Sequence, residues 1–159
     1  MIRTYSNLDS ATEAYIREVV DCGFAIHREV GPGYMEPLYG NAMCVELGAR
    51  GIPFEREKVI TVKYRGEPIG THRLDFVIRG CIIVELKAVK ALEPVHQAQL
   101  MAYMKASKIR VGLLMNFCGA TFKEGIKRVV LYVSCLRGSN QWLRVTPNSF
   151  LRFSFARGA

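Results

Sequence analysis

Apolar and polar positions recur at helical spacing from about Ser10 to Val30, which predicts an amphipathic first helix. Gly31-Pro32-Gly33 breaks it, and Pro37 fits the first turn of a second helix ending near Gly51. Glu36 then stands at a helix N-terminus, where the dipole and free backbone N–H groups stabilise a carboxylate. Helix cap and metal ligand are both open to it. The glycines read as turn formers, and no phosphate loop is present: no strand precedes them and no Gly-Lys-Ser/Thr follows.

Further along, the pattern becomes that of strands. Leu74 to Ile78 and Cys81 to Lys87 have β-branched richness, and Arg79-Gly80 between them is a turn signal, so the two segments predict a hairpin. Glu93-Pro94-Val95-His96 reads as a helix start with proline in its first turn, the helix running to about Ser107. Val111 to Phe117 is a short, continuous apolar run of the kind buried on both faces. Strand, helix and buried strand predict a right-handed βαβ crossover that packs the helix beside the hairpin.

The hairpin carries the chemistry. Side chains two apart on a strand share a face and stand roughly 6.5 to 7 Å apart, so Glu85 and Lys87 point the same way. Whether Asp75 joins them depends on the loop. A two-residue loop at Arg79-Gly80 would pair Ile78 with Cys81 and send the carboxylates to opposite faces. A three-residue loop, Arg79-Gly80-Cys81, pairs Ile78 with Ile82 and sets Asp75 across from Glu85, with Gly80 free to take a positive φ. Facing carboxylates roughly 5 Å apart at Cβ can share one divalent ion, which removes their repulsion and can activate water. Lys87 would orient that water or offset charge developing on the phosphoryl oxygens. The plainer reading of Glu-x-Lys on a strand is a solvated ion pair. Gln99 and Tyr103, four apart on the predicted helix, share a face with His96 and can support the same site; their plainer reading is a polar helix edge with a half-buried aromatic. Tyr103 is expected to be mostly buried with its hydroxyl hydrogen-bonded.

In this order, Arg-Leu-Asp75-Phe, Glu85-Leu-Lys87 and Gln99-x-x-x-Tyr103 resemble the PD-(D/E)XK nuclease superfamily, the last motif being similar to that of its RecB-like branch. Gly33-Tyr34-Met35-Glu36-Pro37-Leu38-Tyr39 matches the G-x-x-E-x-x-Y signature of a small bacterial family in this superfamily. The likeness spans roughly Thr12 to Val130 and includes Asn116-Phe117 and Gly125-Ile-Lys-Arg128; the proline of the superfamily name is absent before Asp75, where Arg73-Leu74 stands. The resemblance implies an α/β, restriction-endonuclease-like core: a mixed β-sheet flanked by helices, with a hairpin followed by a βαβ crossover. It further implies that Glu36, Asp75 and Glu85 bind Mg²⁺ or Mn²⁺, that Lys87 is catalytic, and that Gln99 and Tyr103 support it. The implied function is metal-dependent hydrolysis of phosphodiester bonds, in DNA ahead of RNA. The alternative is a nuclease-fold module that binds nucleic acid or a partner without turnover.

Composition sets outer limits. The 159 residues, half of them apolar, fit one nuclease-like domain over 1–133 with a basic extension over 134–159. Residues 1–122 carry 15 Lys and Arg against 13 Asp and Glu, whereas 123–159 carry 7 against 1, so most of the net charge of +8 lies at the end. That balance favours a nucleic-acid partner. In the extension, Leu151, Phe153 and Phe155 alternate as in an edge strand, with a poorly ordered tail as the other expectation. Five widely spaced cysteines without C-x-x-C, and three histidines without ligand spacing, fit reduced thiols and no zinc site. His72 and Arg73 flank Asp75 as candidates for phosphate contact or as a plain polar strand edge. The absence of an early apolar h-region and of any 18-residue apolar stretch leads to the expectation of a cytoplasmic chain that spans no membrane, with homo-oligomerisation open.

Overall fold

The computed structural model describes residues 8–133 and 142–145. Helices α1 (Ser10–Val30) and α2 (Glu36–Ala49) lead into strands β1 (Phe54–Tyr64), β2 (Glu67–Ile78) and β3 (Ile82–Lys87); α3 (Pro94–Ser107), β4 (Val111–Asn116), a 3-10 turn, β5 (Ile126–Val133) and β6 (Trp142–Val145) follow. The strands form one mixed sheet in the order β1-β2-β3-β4-β5-β6, antiparallel except where β3 and β4 run parallel on either side of α3. This is the α/β, restriction-endonuclease-like architecture expected from the sequence.

Strand alternation divides the core between the two sheet faces. Ile82, Val84 and Leu86 of β3, with Val111, Leu113 and Met115 of β4, pack against the apolar stripe of α1 and α2 that includes Ile16, Val20, Tyr39 and Met43. Ile83 and Leu114 face the other way, onto Leu100 and Met104 of α3. The helices on both faces explain why β4 is buried at every position.

Asp9 caps α1, its carboxylate accepting from the Thr12 N–H at 2.8 Å. α3 opens with a capping box in which Glu93 and His96 serve each other's backbone, followed by Pro94. β1 was not anticipated from the sequence. It is an edge strand, exposed on most positions, so its alternation is too shallow to read. The candidate strand residues Leu151, Phe153 and Phe155 lie outside the described residues, as does Cys135; β6 is the described part of the extension and pairs with β5. The four described cysteines are free thiols, and burial pushes Cys22 up to about 11. No helix among the described residues is long and apolar enough to cross a membrane.

Candidate active site

The hairpin register decides the site. Ile78 pairs with Ile82, Val77 with Ile83 and Phe76 with Val84, as the three-residue loop requires. The Cys81 N–H closes the turn onto the Ile78 carbonyl at 3.0 Å, with Arg79 at φ +50° and Gly80 at φ +68°. One position beyond the last backbone pair, Asp75 and Glu85 meet. The Asp75 N–H donates to Glu85 Oε1 at 3.3 Å, and the Leu86 N–H donates to Asp75 Oδ2 at 2.8 Å. Each carboxylate thus takes a backbone donor of the opposite strand.

A break in the sheet makes room for this. β1 and β2 pair from Phe54 to Arg56 and again from Lys58, but Glu57, which faces Asp75, sits at φ +52°. A non-glycine residue in that region costs roughly 1–2 kcal/mol. Leu74 packs with the α3 cluster while Phe76 packs with the α1–α2 cluster, although residues two apart on a regular strand share a face. The chain therefore turns over at Asp75.

Glu85 is 5% exposed. Burial, then the Asp75 charge, pushes its carboxyl up to about 8, against the opposing pull of the Asp75 N–H and Lys87. Lys87 Nζ lies 4.0 Å from Glu85 Oε2 and donates to the Leu86 carbonyl at 3.0 Å. Glu36 is half-buried; burial raises its pKa, Lys87 and His96 pull it down, and Asp75 pushes it up. Glu36 stands in the first turn of α2, the helix N-terminus expected from the sequence, where the dipole favours a carboxylate; the capping part does not hold, since the cap position is Met35 and no side chain makes a capping bond there. What fixes Glu36 is the preceding loop, where the buried Tyr39 hydroxyl donates to the Gly31 carbonyl at 2.8 Å and accepts from the Tyr34 N–H at 3.2 Å.

The predicted supporting pair divides. Tyr103 is half-buried and stacks on His72 of β2, ring centroids 3.9 Å apart; burial, then the Glu85 and Asp75 charges, raise its pKa. It faces the hairpin as expected, but it is less buried than expected and its hydroxyl makes no hydrogen bond among the described residues. Gln99 lies on the exposed side of α3. Leu100 and Met104 take the contacts with the sheet instead, because the buried stripe of α3 falls one residue later.

Three residues at the site received no role from the sequence, although Asn116 falls within the family likeness. Arg56 and Glu57 line a cavity of about 130 Å³ with Glu36, Pro37, Gly40, Asp75, Phe76 and Leu86, space for a few waters or a hydrated ion. Asn116, 4% exposed, stands beside Lys87 in the β3–β4 ladder. Its Oδ1 accepts from the Val89 N–H at 3.0 Å and its Nδ2 donates to the Val89 carbonyl at 2.8 Å, pinning the chain just after Lys87. An asparagine at the end of an apolar run was the available signal.

Among the described residues no three His, Cys, Asp or Glu side chains converge as a ready-made metal centre. The donor chemistry nevertheless fits a hard divalent ion. Asp75 and Glu85 present oxygen ligands at facing positions, and Glu36 is near enough for Asp75 to shift its pKa. Mg²⁺ is commonly held by one or two carboxylates plus water and substrate phosphate.

A family model described as the PD-(D/E)XK nuclease superfamily matches residues 13–129. No curated protein and no solved structure matches the chain.

Proposed function

Because the chain belongs to the PD-(D/E)XK nuclease superfamily, we propose that it is a metal-dependent nuclease that hydrolyses phosphodiester bonds of DNA in preference to RNA. The observation that carries this reading is the crossed contact of Asp75 and Glu85 beside Lys87, at the point where the strand ladder stops. Asp75, Glu85 and Glu36 would hold Mg²⁺ or Mn²⁺. Bound there, the ion supplies charge to polarise a phosphoryl oxygen and to acidify a water.

The chain's own groups do the rest. Lys87 uses one of its three N–H donors on the Leu86 carbonyl, leaving two for the attacking water or a phosphoryl oxygen. A fixed cation at that spot stabilises charge that grows in the transition state. The stacked rings of His72 and Tyr103 form the α3 side of the site, and the exposed Gln99 amide is available to a phosphate arriving from solvent. We group the chain with the small bacterial family named for G-x-x-E-x-x-Y. In support, each named residue has a role: Gly33, at φ +112°, turns the loop, Tyr39 ties it, and Glu36 opens α2 at the cleft.

The test incubates purified protein with single- and double-stranded DNA and RNA in Mg²⁺, Mn²⁺ or EDTA. DNA cleavage that needs the ion and disappears in Asp75→Ala is expected. No cleavage of any substrate with either ion would replace the nuclease by a binding module without turnover.

A further inference from the structure

The cleft holds an arginine for which its neighbours provide no acidic partner. Arg56 lies on β1 directly across from Phe76, one residue from Asp75. Its two acidic neighbours along β1 are engaged elsewhere: Glu55 pairs with Lys58 at 2.6 Å and Glu57 with Arg73 at 3.7 Å. Among the described residues the Arg56 guanidinium forms no ion pair, and its hydrogen bond is a weak one to Cys44 Sγ at 3.6 Å. A notch in α2 receives it. A Cβ added to Gly40 would stand 3.1 Å from Nη2, so a larger residue there would crowd the guanidinium. Gly40 is one helical turn from Glu36, roughly 6 Å along the axis.

An unpaired guanidinium lining the same cavity as Glu36 and Asp75 is suited to a polyanion that the carboxylates themselves repel. We propose that Arg56 binds a backbone phosphate of the nucleic-acid strand next to the one that reaches Asp75 and Glu85. This rests on the nuclease reading and adds a substrate-binding residue to it. The planar fork gives two parallel hydrogen bonds to phosphate oxygens, which an ammonium cannot reproduce. The contact also matters in proportion, since 15 Lys and Arg over residues 1–122 are nearly matched by 13 Asp and Glu. With so little net charge in the core, one correctly placed cation sets the register of the strand.

The experiment titrates the full-length chain, in EDTA so that no cleavage occurs, into a short fluorescein-labelled DNA oligonucleotide at several salt concentrations and reads anisotropy. Loss of one phosphate contact lowers the slope of log affinity against log salt by about 1, uniformly across sequences. Arg56→Ala is expected to show that drop, with Kd raised several-fold. Arg56→Lys should recover the slope but not the full affinity, and Gly40→Ala should weaken binding while leaving the charge in place. Arg79→Ala, whose arginine is paired with Glu18 away from the cleft, should match the wild type. A wild type that binds or cuts DNA while Arg56→Ala keeps the same Kd and slope overturns the Arg56 assignment alone. A wild type that neither binds nor cuts overturns both it and the nuclease reading.

Discussion

Within one hairpin, the rungs Phe76–Ile78 with Ile82–Val84 and the rung just beyond them behave as two different materials. The inner six residues are all buried and pair backbone to backbone. At Asp75 and Glu85 the backbone pairing has ended, and the carboxylates accept the N–H groups of the opposite strand. The inner half fixes register through apolar packing, and the outer half uses that rigidity to hold two acidic groups opposite each other, where the Asp75 charge helps to raise the Glu85 carboxyl. Register therefore links fold to chemistry: a slip of one residue would turn Asp75 to the other face.

The largest effect should come from the outer half. Asp75→Ala or Glu85→Ala should lower the cleavage rate by at least about a thousandfold, or roughly 4 kcal/mol, with the circular dichroism spectrum unchanged. The inner half should answer in the opposite way. Ile83→Ala is expected to cost about 2–5 kcal/mol in denaturant unfolding yet leave the activity per folded molecule close to wild type. If Ile83→Ala destroyed activity while remaining folded, the division of labour would fail. Lys87→Ala belongs with the outer half but should separate metal from catalysis, losing roughly 2–4 kcal/mol of transition-state stabilisation in single-turnover rates with calorimetric ion affinity little changed. Asn116→Ala sits on the boundary. It leaves the part-buried Val89 backbone groups without their side-chain partner, so about 1–3 kcal/mol of stability should go, along with part of the turnover rate that depends on the placement of Lys87.

The same division explains what could be read from the sequence. Local rules located the inner half: the apolar run of β3, the proline starts of α2 and α3, and the buried run of β4 placed the elements that carry the site, while the loop length, two residues or three, stayed open until the register showed Ile78 opposite Ile82. The rest depends on non-local packing. The contact of Arg56 with α2 is a meeting of helix and edge strand that leaves no periodic trace, and the turnover of β2 at Asp75 follows from the kink at Glu57 on another strand. Gln99 and Tyr103 do share a face, but spacing alone did not say that the sheet would claim Leu100 and Met104. The cap reading of Glu36 failed because α2 starts one residue earlier than a capping role requires.

Calorimetric titration of Mg²⁺ or Mn²⁺ into the metal-free chain, repeated in buffers of different ionisation enthalpy, tests the outer half most directly. With its carboxyl pushed up to about 8, Glu85 holds a proton at neutral pH and must release it to bind an ion. Apparent affinity should therefore rise with pH up to about 8, where Glu85 is ionised, and level off above it. One ion per chain is expected, bound at pH 7 with close to one proton released, and both signals should be lost in Glu85→Gln. Binding that releases no proton and survives in Glu85→Gln, or no binding at all by the wild type, would contradict that expectation.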